Sequence, residues 1–242
     1  MKSELAVKTS QAVAVPMKQV GNRMIYSTLE EMVQPGHTAL LVIDMQNDFA
    51  TKGGFFDKKK IDISMMEQAI PNQRRLLDAA RSSGVFVVFT ENTVYMNPDG
   101  TLLESPAHLA FYDKCGYLPG LEKGEFFTIA GQWGEKTVDA LTPRSGEYVI
   151  HKHRPSGFVG TNMDMILRAR GVETVVVTGC VTQGCVETTV RDAGNHDYYV
   201  TVPSDAVASQ SKQLHEAALS VMAARWTVTS SGEIIKIWEQ PK

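Results

Sequence analysis

Cysteine is scarce in this sequence, with only three among its 242 residues. So small and odd a number does not suit a disulfide framework and is typical of a protein from a reducing compartment. Long apolar runs are lacking too, so no segment reaches transmembrane length and the N-terminal stretch has no sustained apolar core. We therefore expect a soluble, cytoplasmic protein that does not bind a membrane.

An excess of charge of one sign is also missing, since 24 Lys and Arg residues stand against 27 Asp and Glu, for a net charge of −3. This balance, without a dense basic stripe, gives no electrostatic reason to expect a nucleic-acid partner. The apolar fraction of 43% is that of an ordinary globular protein, which buries its core without metals or disulfides. The length favours one large α/β domain over two small ones.

What the chain does contain is an alternation of short β-branched runs with helical patterns. Six runs fit buried strands, at residues 38–44, 85–91, 147–152, 174–179, 198–203 and 226–231. Between them, as at residues 63–84, apolar side chains recur at helical spacing. Strands separated by helices pair in parallel through right-handed crossovers. The sequence therefore predicts an α/β fold, a three-layer doubly wound (Rossmann-like) domain with a mainly parallel six-stranded sheet.

Two segments stand outside this alternation. Residues 1–36 show no clear period, and we interpret them as an N-terminal arm that packs on the body or on a neighbouring subunit, with the domain proper at residues 37–242. Residues 92–132 form a long connection rich in Gly, Pro and aromatic residues. Such insertions usually serve a binding site or a subunit contact.

Polar residues follow the carboxyl ends of the predicted strands, the edge at which open parallel sheets bind ligands. They are Asp44, Glu91, Asn92, Lys152 and Cys185. A thiol in the first turn of a helix ionises more readily than a free thiol, and a nearby ammonium such as that of Lys152 reinforces this. With Asp44 as proton acceptor, the three groups would form an activated nucleophile, an electrostatic partner and an acid/base.

A structural explanation is available for each of these residues. A cysteine beside a buried strand is often a small core residue, which is how we interpret Cys180. A carboxylate at a strand end often caps a turn, and a strand lysine often extends to water. His151 and His153 flank Lys152 but point away from its face of the strand, so we assign them to packing or hydrogen bonding.

Three motifs in order carry a resemblance to a known family. They are "TALLVIDMQNDF", "HKHRPSGFVGTNMDMILRARGV" and "ETVVVTGCVTQGCVETTVRDA". Together they resemble the isochorismatase-like cysteine hydrolase superfamily over residues 37 to 230. The resemblance implies a catalytic triad of Asp44, Lys152 and Cys185, with Cys180 outside it.

The resemblance also implies a cis peptide between Cys180 and Val181, which would orient the Val181 amide. With the Cys185 amide it would form an oxyanion hole. The implied reaction begins when Asp44 takes the thiol proton and the thiolate attacks a carbonyl carbon while Lys152 stabilises the charge. Asp44 protonates the departing amine, and water hydrolyses the resulting thioester. No cofactor is required.

Among the branches of the family, the chain looks most like the ureidoacrylate and biuret hydrolases, which cut a terminal carbamoyl C–N bond. The implied activity is ammonia release from a small ureide or carbamoyl amide such as biuret, triuret, ureidoacrylate or an N-carbamoyl compound. Nicotinamidases of the family bind a metal through histidines after the second strand, where this chain reads "FTENTVYMNPDG", so we predict no metal. Pro155, Gln183 and Gly184 depart from the usual residues of the ureide branch.

Four interpretations remain open as alternatives to the ureide hydrolase. They are a nicotinamidase or a maleamate-type amidase, an isochorismatase-type vinyl ether hydrolase, and a non-catalytic binding member of the fold. A planar, polar substrate needs fixed hydrogen bonds and an aromatic wall. We predict Glu91 and Asn92 for the first and Phe49, Tyr95, Trp133 and Phe158 for the second. Family members are usually dimers or tetramers, so the expected partners are the small-molecule substrate, water and identical subunits.

Overall fold

The computed structural model describes residues 17–121 and 124–240. Before the main sheet, β1 (Lys18–Val20) and β2 (Arg23–Ile25) form an antiparallel hairpin. The central sheet has seven strands in the described part of the chain: β3 (Thr38–Ile43), β4 (Phe86–Asn92), β5 (Tyr148–Lys152), β6 (Thr174–Cys180), β7 (Tyr199–Pro203), β8 (Val207–Ala208) and β9 (Thr227–Thr229).

All pairings in the central sheet are parallel, and the strand order is β5-β4-β3-β6-β7-β9. The six predicted strands are confirmed as these six, and the two-residue β8 adds a seventh that pairs with β6. The helices are α1 (Leu29–Met32), α2 (Asn47–Ala50), α3 (Phe55–Lys58), α4 (Ser64–Ser83), α5 (Pro106–Lys114), α6 (Met163–Ala169), α7 (Glu187–Asn195), α8 (Lys212–Ala223) and α9 (Ser231–Trp238).

Helices cover both faces of the sheet, as the alternation of side chains along β3 shows. Leu40 and Val42 point into a core cluster shared with α4 and α9. Leu41 and Ile43 point into a second cluster shared with α6, α7 and α8. Because successive strand residues face opposite sides, an uninterrupted apolar run such as β3 requires a helical layer on each face. The predicted three-layer α/β fold is confirmed.

The order of the strands reverses between β3 and β6. From β3 the chain adds β4 and then β5 on one side, and it returns to pair β6 with the other side of β3. Ligands bind at such a reversal because the loops that leave the two neighbouring strands run in opposite directions and open a crevice. Here the crevice lies beyond Ile43 and Gly179, which are partners in the register.

Gly179 is required at this crevice because β6 approaches β3 closely there. Its φ is +117°, and a Cβ at this position would lie 2.0 Å from the Ile43 carbonyl oxygen, an atom of the backbone. We expect Gly179→Ala to lower the free energy of unfolding by about 3 kcal/mol or more, from strain and overpacking.

Urea unfolding measures this change in free energy. Gly36→Ala is the matched control, since nothing lies within 4 Å of its added Cβ and its φ is not positive. The control should stay within about 0.5 kcal/mol of the wild type. Equal midpoints for the two glycine variants would contradict the prediction.

The predicted arm falls partly on residues 1–16, which lie outside the described residues. In the hairpin, Val20 and Met24 are exposed. Val33 is fully buried in the core, and its carbonyl accepts a 2.7 Å hydrogen bond from Trp238 Nε1 of α9. The division of the chain at residue 36, the dimer or tetramer and the cytoplasmic location stay predictions. Each helix in the described part of the chain is too short or too polar to span a membrane.

Candidate active site

Asp44, Lys152 and Cys185 meet at the strand reversal. Lys152 Nζ lies 2.7 Å from Asp44 Oδ2 and 3.4 Å from Cys185 Sγ, and it donates a further hydrogen bond to the Arg154 carbonyl at 3.0 Å. The three residues come from the ends of β3, β5 and the turn after β6. The side chains of Asp44 and Lys152 are 1% and 0% exposed, so the ammonium and the carboxylate neutralise each other within the protein.

Asp44 is held by the neighbouring strand. Its Oδ1 accepts a 2.7 Å hydrogen bond from Thr90 Oγ1, and its amide donates to the Thr90 carbonyl at 3.1 Å. Its φ of +48° turns the chain sharply out of β3, a conformation that aspartate tolerates better than most residues. Among the described residues Oδ2 has no hydrogen-bond partner beyond the contact with Lys152. Oδ2 is therefore the carboxylate oxygen that faces the ammonium of Lys152.

Cys185 lies in a π-helical turn (Thr182–Val186) that precedes α7. Gly184, just before it, has the non-helical angles φ −114° and ψ −106°, so the turn is kinked at the cysteine. The peptide between Cys180 and Val181 is cis, at the position that the family resemblance implied. Val181, Gly184 and Cys185 all line one cavity.

The expectation that Cys185 ionises more readily than a free thiol is wrong. Burial raises its pKa to about 12, Lys152 opposes this increase, and the carboxylate of Asp44 reinforces it. For Lys152, burial alone would lower the pKa, but the charge of the Asp44 carboxylate and the hydrogen bonds to Asp44 and Cys185 raise it above its usual value. The resting state is therefore a neutral thiol beside an ammonium-carboxylate pair.

Alkylation of Cys185 should consequently have an unusual pH dependence. A thiol with a pKa of about 12 is almost entirely protonated at neutral pH, whereas a free thiol titrates near ~8.5. Because the thiolate is the nucleophile, we expect the rate of reaction with iodoacetamide to rise about tenfold per pH unit between pH 8 and 10.

Mass spectrometry of the peptide that contains Cys185 measures this rate. The exposed Cys115 is replaced by alanine in the protein used, so that its reaction does not consume reagent or perturb the fold. A rate that reaches a plateau below pH 9 would show that the thiol is acidic and would contradict the prediction.

A small cavity of about 100 Å³ opens beside the Cys185 sulfur. Its described lining consists of Phe49, Phe56, Asn92, His108, Phe111, Tyr112, Tyr117, Phe127, Pro155, Cys180, Val181, Gly184 and Cys185. Most of the aromatic side chains come from the connection between β4 and β5. Asp44 and Lys152 lie buried behind the cysteine.

The structure brings Phe49 and Asn92 to this cavity, out of the six side chains predicted to contact substrate. Tyr95 is 46% exposed and packs on His153 in a tilted geometry, with ring centroids 5.0 Å apart. Trp133 is 50% exposed and lines a different depression. Phe158 is buried in the second core cluster. None of these three lines the cavity as the described residues outline it.

Glu91 also lies away from the cavity, for a reason that follows from strand geometry. Neighbouring residues of β4 face opposite sides, so Thr90 and Asn92 point toward the site while Glu91 points away. The Glu91 carboxylate accepts hydrogen bonds from the amide and hydroxyl of Thr137, at 2.9 and 2.7 Å. Its role is to hold the loop that contains Thr137.

Most of the cavity wall consists of residues that were not predicted from the sequence. Phe56, His108, Phe111, Tyr112, Tyr117, Phe127 and Pro155 were not predicted to line it. The available signal was the aromatic content of residues 92–132, which has no period that would tell inward from outward side chains. In the part of the chain that the structure describes, no cluster of three or more His, Cys, Asp or Glu side chains is arranged to hold a metal ion.

In this protein a thiol, an ammonium and a carboxylate lie together at the point where the order of a parallel sheet reverses. These features place it in the class of doubly wound α/β proteins with a cysteine-centred site. This chain belongs to the isochorismatase domain family, whose model matches residues 38–233. The family resemblance read from the sequence motifs is thereby confirmed.

Curated relatives and solved structures agree with this assignment. The ureidoacrylate amidohydrolase RutB of Methylorubrum extorquens is 39% identical over 173 residues, 70% of this chain and 68% of that protein. A cysteine hydrolase from Pseudomonas syringae pv. phaseolicola has a TM-score of 0.72 and 26% identity, covering 94% of this chain and 99% of its own. An N-carbamoylsarcosine amidase from Thermoplasma acidophilum has a TM-score of 0.60 and 30% identity, with 80% and 96% covered.

Proposed function

We propose that this protein is a cysteine amidohydrolase that releases ammonia from a small ureide or carbamoyl amide. The observation that supports it most is the contact of Lys152 with both Asp44 and Cys185, at 2.7 and 3.4 Å, beside a cavity that the sulfur lines. The names of the relatives, a ureidoacrylate amidohydrolase and an N-carbamoylsarcosine amidase, support the substrate class.

In the first step, proton transfer and nucleophilic attack occur together. As the Cys185 sulfur forms a bond to the carbonyl carbon, the thiol proton passes to Asp44 Oδ2. Lys152 stabilises the anionic sulfur because its ammonium lies 3.4 Å away and is shielded from water. The neutral resting thiol favours this coupled order over prior ionisation, since a free thiolate in the buried site is costly.

The next steps return the protein to its starting state. The amides of Val181 and Cys185 would hold the oxyanion of the tetrahedral intermediate. As the C–N bond breaks, Asp44 gives its proton to the nitrogen, ammonia leaves and the acyl group remains on Cys185 as a thioester. Water then attacks this thioester and its proton passes to Asp44, which gives that proton to the released sulfur as the C–S bond breaks, so that the thiol and the carboxylate are restored as the product leaves.

Trapping the intermediate tests the proposal. Acid quenching during turnover of a ureide, followed by mass spectrometry, should show the acyl group on the peptide that contains Cys185. The adduct should be absent from Cys185→Ala and present in Cys115→Ala, whose replaced thiol is exposed elsewhere. Turnover of the ureide that continues in Cys185→Ala without an adduct would contradict the proposal, because ammonia release would then not pass through a thioester on Cys185.

A further inference from the structure

The wall of the cavity beside Cys185 is an unusually continuous aromatic surface. The Phe127 ring contacts those of Phe49, Tyr112 and Tyr117, with centroids 5.5, 5.4 and 5.3 Å apart. Phe56 extends this surface through Phe49, 5.0 Å away. Rings that pack against one another in tilted and edge-to-face geometry form a rigid wall, which best accepts a flat apolar group.

Hydrogen-bonding groups on this wall are few and partly occupied. The Asn92 side-chain nitrogen donates a 2.8 Å hydrogen bond to Thr128 Oγ1. Pro155 has no amide hydrogen to donate. Burial raises the pKa values of Tyr112 and Tyr117, so both phenols are uncharged and offer one hydroxyl each. A densely polar substrate would therefore leave many of its own donors and acceptors without partners, which is costly in a desolvated site.

Positive charge is likewise missing from the described wall. Lys152 is buried behind Cys185 and is neutralised by Asp44. Arg154, next to Pro155 in the chain, forms a 2.9 Å ion pair with Glu104, whose side chain is only 4% exposed. Burial lowers the pKa of His108 from its usual 6.5, so its ring is neutral at pH 7. A substrate carboxylate would enter this cavity without a counter-charge.

The size of the cavity sets a further limit. Its volume of about 100 Å³ is below the roughly 300–1,000 Å³ of clefts that hold drug-sized ligands. An apolar cavity of about 150 Å³ accepts a benzene molecule. The space beside Cys185 therefore suits a group of about one small ring or a short chain.

We infer that the preferred substrates are uncharged ureides or amides that carry one small, flat apolar group, and that anionic ureides such as ureidoacrylate are poor substrates. This inference rests on the proposed function and narrows its substrate class. It predicts that ureidoacrylate, the substrate in the name of the relative RutB, is a poor substrate of this chain.

Two pairs of ureides of similar size test the inference, because the members of each pair differ in charge. Phenylurea is compared with ureidoacrylate, and propylurea with N-carbamoylglycine, by measuring kcat/KM for ammonia release. We expect the neutral member of each pair to have a kcat/KM at least about 100-fold higher, because the carboxylate is desolvated without a partner. An anionic member that equals or exceeds its neutral partner, with release that depends on Cys185, would overturn the inference and leave the proposed function intact. Release from none of the four ureides, or release that persists in Cys185→Ala, would overturn the proposed function itself.

A variant with an added cation gives a second test. Phe111 is 45% exposed at the cavity, so Phe111→Arg places a guanidinium at its mouth without disturbing the core. We expect the kcat/KM ratio of ureidoacrylate to phenylurea to rise at least about tenfold, because the anion gains a partner. Leu103→Arg is the matched control, since Leu103 is 63% exposed and outside the described cavity lining, and it should leave the ratio unchanged. An unchanged ratio in Phe111→Arg overturns the inference.

Discussion

Cys185→Ala is expected to lower kcat for ammonia release by at least about 10⁴-fold while leaving the protein folded. Loss of the nucleophile removes the covalent route entirely, and triad residues that act as a unit usually show losses of this order. Lys152 and Asp44 remain paired at 2.7 Å without the sulfur, so no buried charge is left uncompensated. The free energy of unfolding should therefore change far less than the rate.

Steady-state ammonia release and urea unfolding of the same preparation measure the two effects separately. Cys115→Ala is the matched control because it replaces an exposed thiol elsewhere in the chain, and its kcat should equal that of the wild type. Residual activity within tenfold of the wild type in Cys185→Ala would show that the sulfur does not form the bond to substrate. If Cys185→Ala does not unfold cooperatively, Cys185→Ser is measured in its place, because serine keeps the volume of the side chain close to that of the thiol.

The sheet could be predicted from the sequence because each strand leaves a local signal. Runs such as "TALLVI" and "TVVVTG" contain only apolar residues, threonine and glycine and carry no charge, which is typical of a strand buried on both faces. The parallel pairing of these strands then follows from the helices that separate them in the chain. Asp44 and Lys152 come directly at the ends of two such runs, so their meeting at one edge could be expected before their side chains were placed.

Glu91 and Asn92 differ in orientation in a way that could not be predicted from the sequence. Both follow an apolar run, but only one of two neighbouring strand residues can face the site. Thr90 bonds to Asp44, which fixes the facing positions as Thr90 and Asn92 and turns Glu91 away. The sequence did not specify which of the two alternating faces would meet Asp44, because that depends on the register between β3 and β4.

The acidity of Cys185 could not be read from the sequence either. The position before α7 and the nearby ammonium both favour a thiolate, and these were the two features visible in the motif. Burial acts in the opposite direction and is the larger effect, with a pKa of about 12 as the result. Burial depends on aromatic side chains from the connection after β4, such as Tyr112 and Phe127, whose inward orientation has no local signal.

Lys152→Met is expected to lower the free energy of unfolding by about 3–5 kcal/mol and kcat by about 10³-fold or more. The lysine side chain is fully buried, and its removal leaves the Asp44 carboxylate, 1% exposed, without a counter-charge. The loss of rate follows because the ammonium no longer stabilises the sulfur as its proton leaves. A loss of this size is a large part of the free energy of unfolding of a typical domain, which is about 5–15 kcal/mol. Purification is therefore best done at low temperature.

The double variant Lys152→Met with Asp44→Asn separates the two effects. It removes both charges, and asparagine tolerates the φ of +48° at position 44, so at least half of the lost stability should return. Activity should not return, since no acid/base or cation remains. Lys212→Met is the matched control: Lys212 Nζ lies 3.8 Å from Glu216 in a pair whose side chains are 81% and 63% exposed, and its loss should cost less than about 0.5 kcal/mol. If the double variant is no more stable than Lys152→Met, the cost lies in lost packing of the lysine stem, and the buried charge pair is not what stabilises this edge of the sheet.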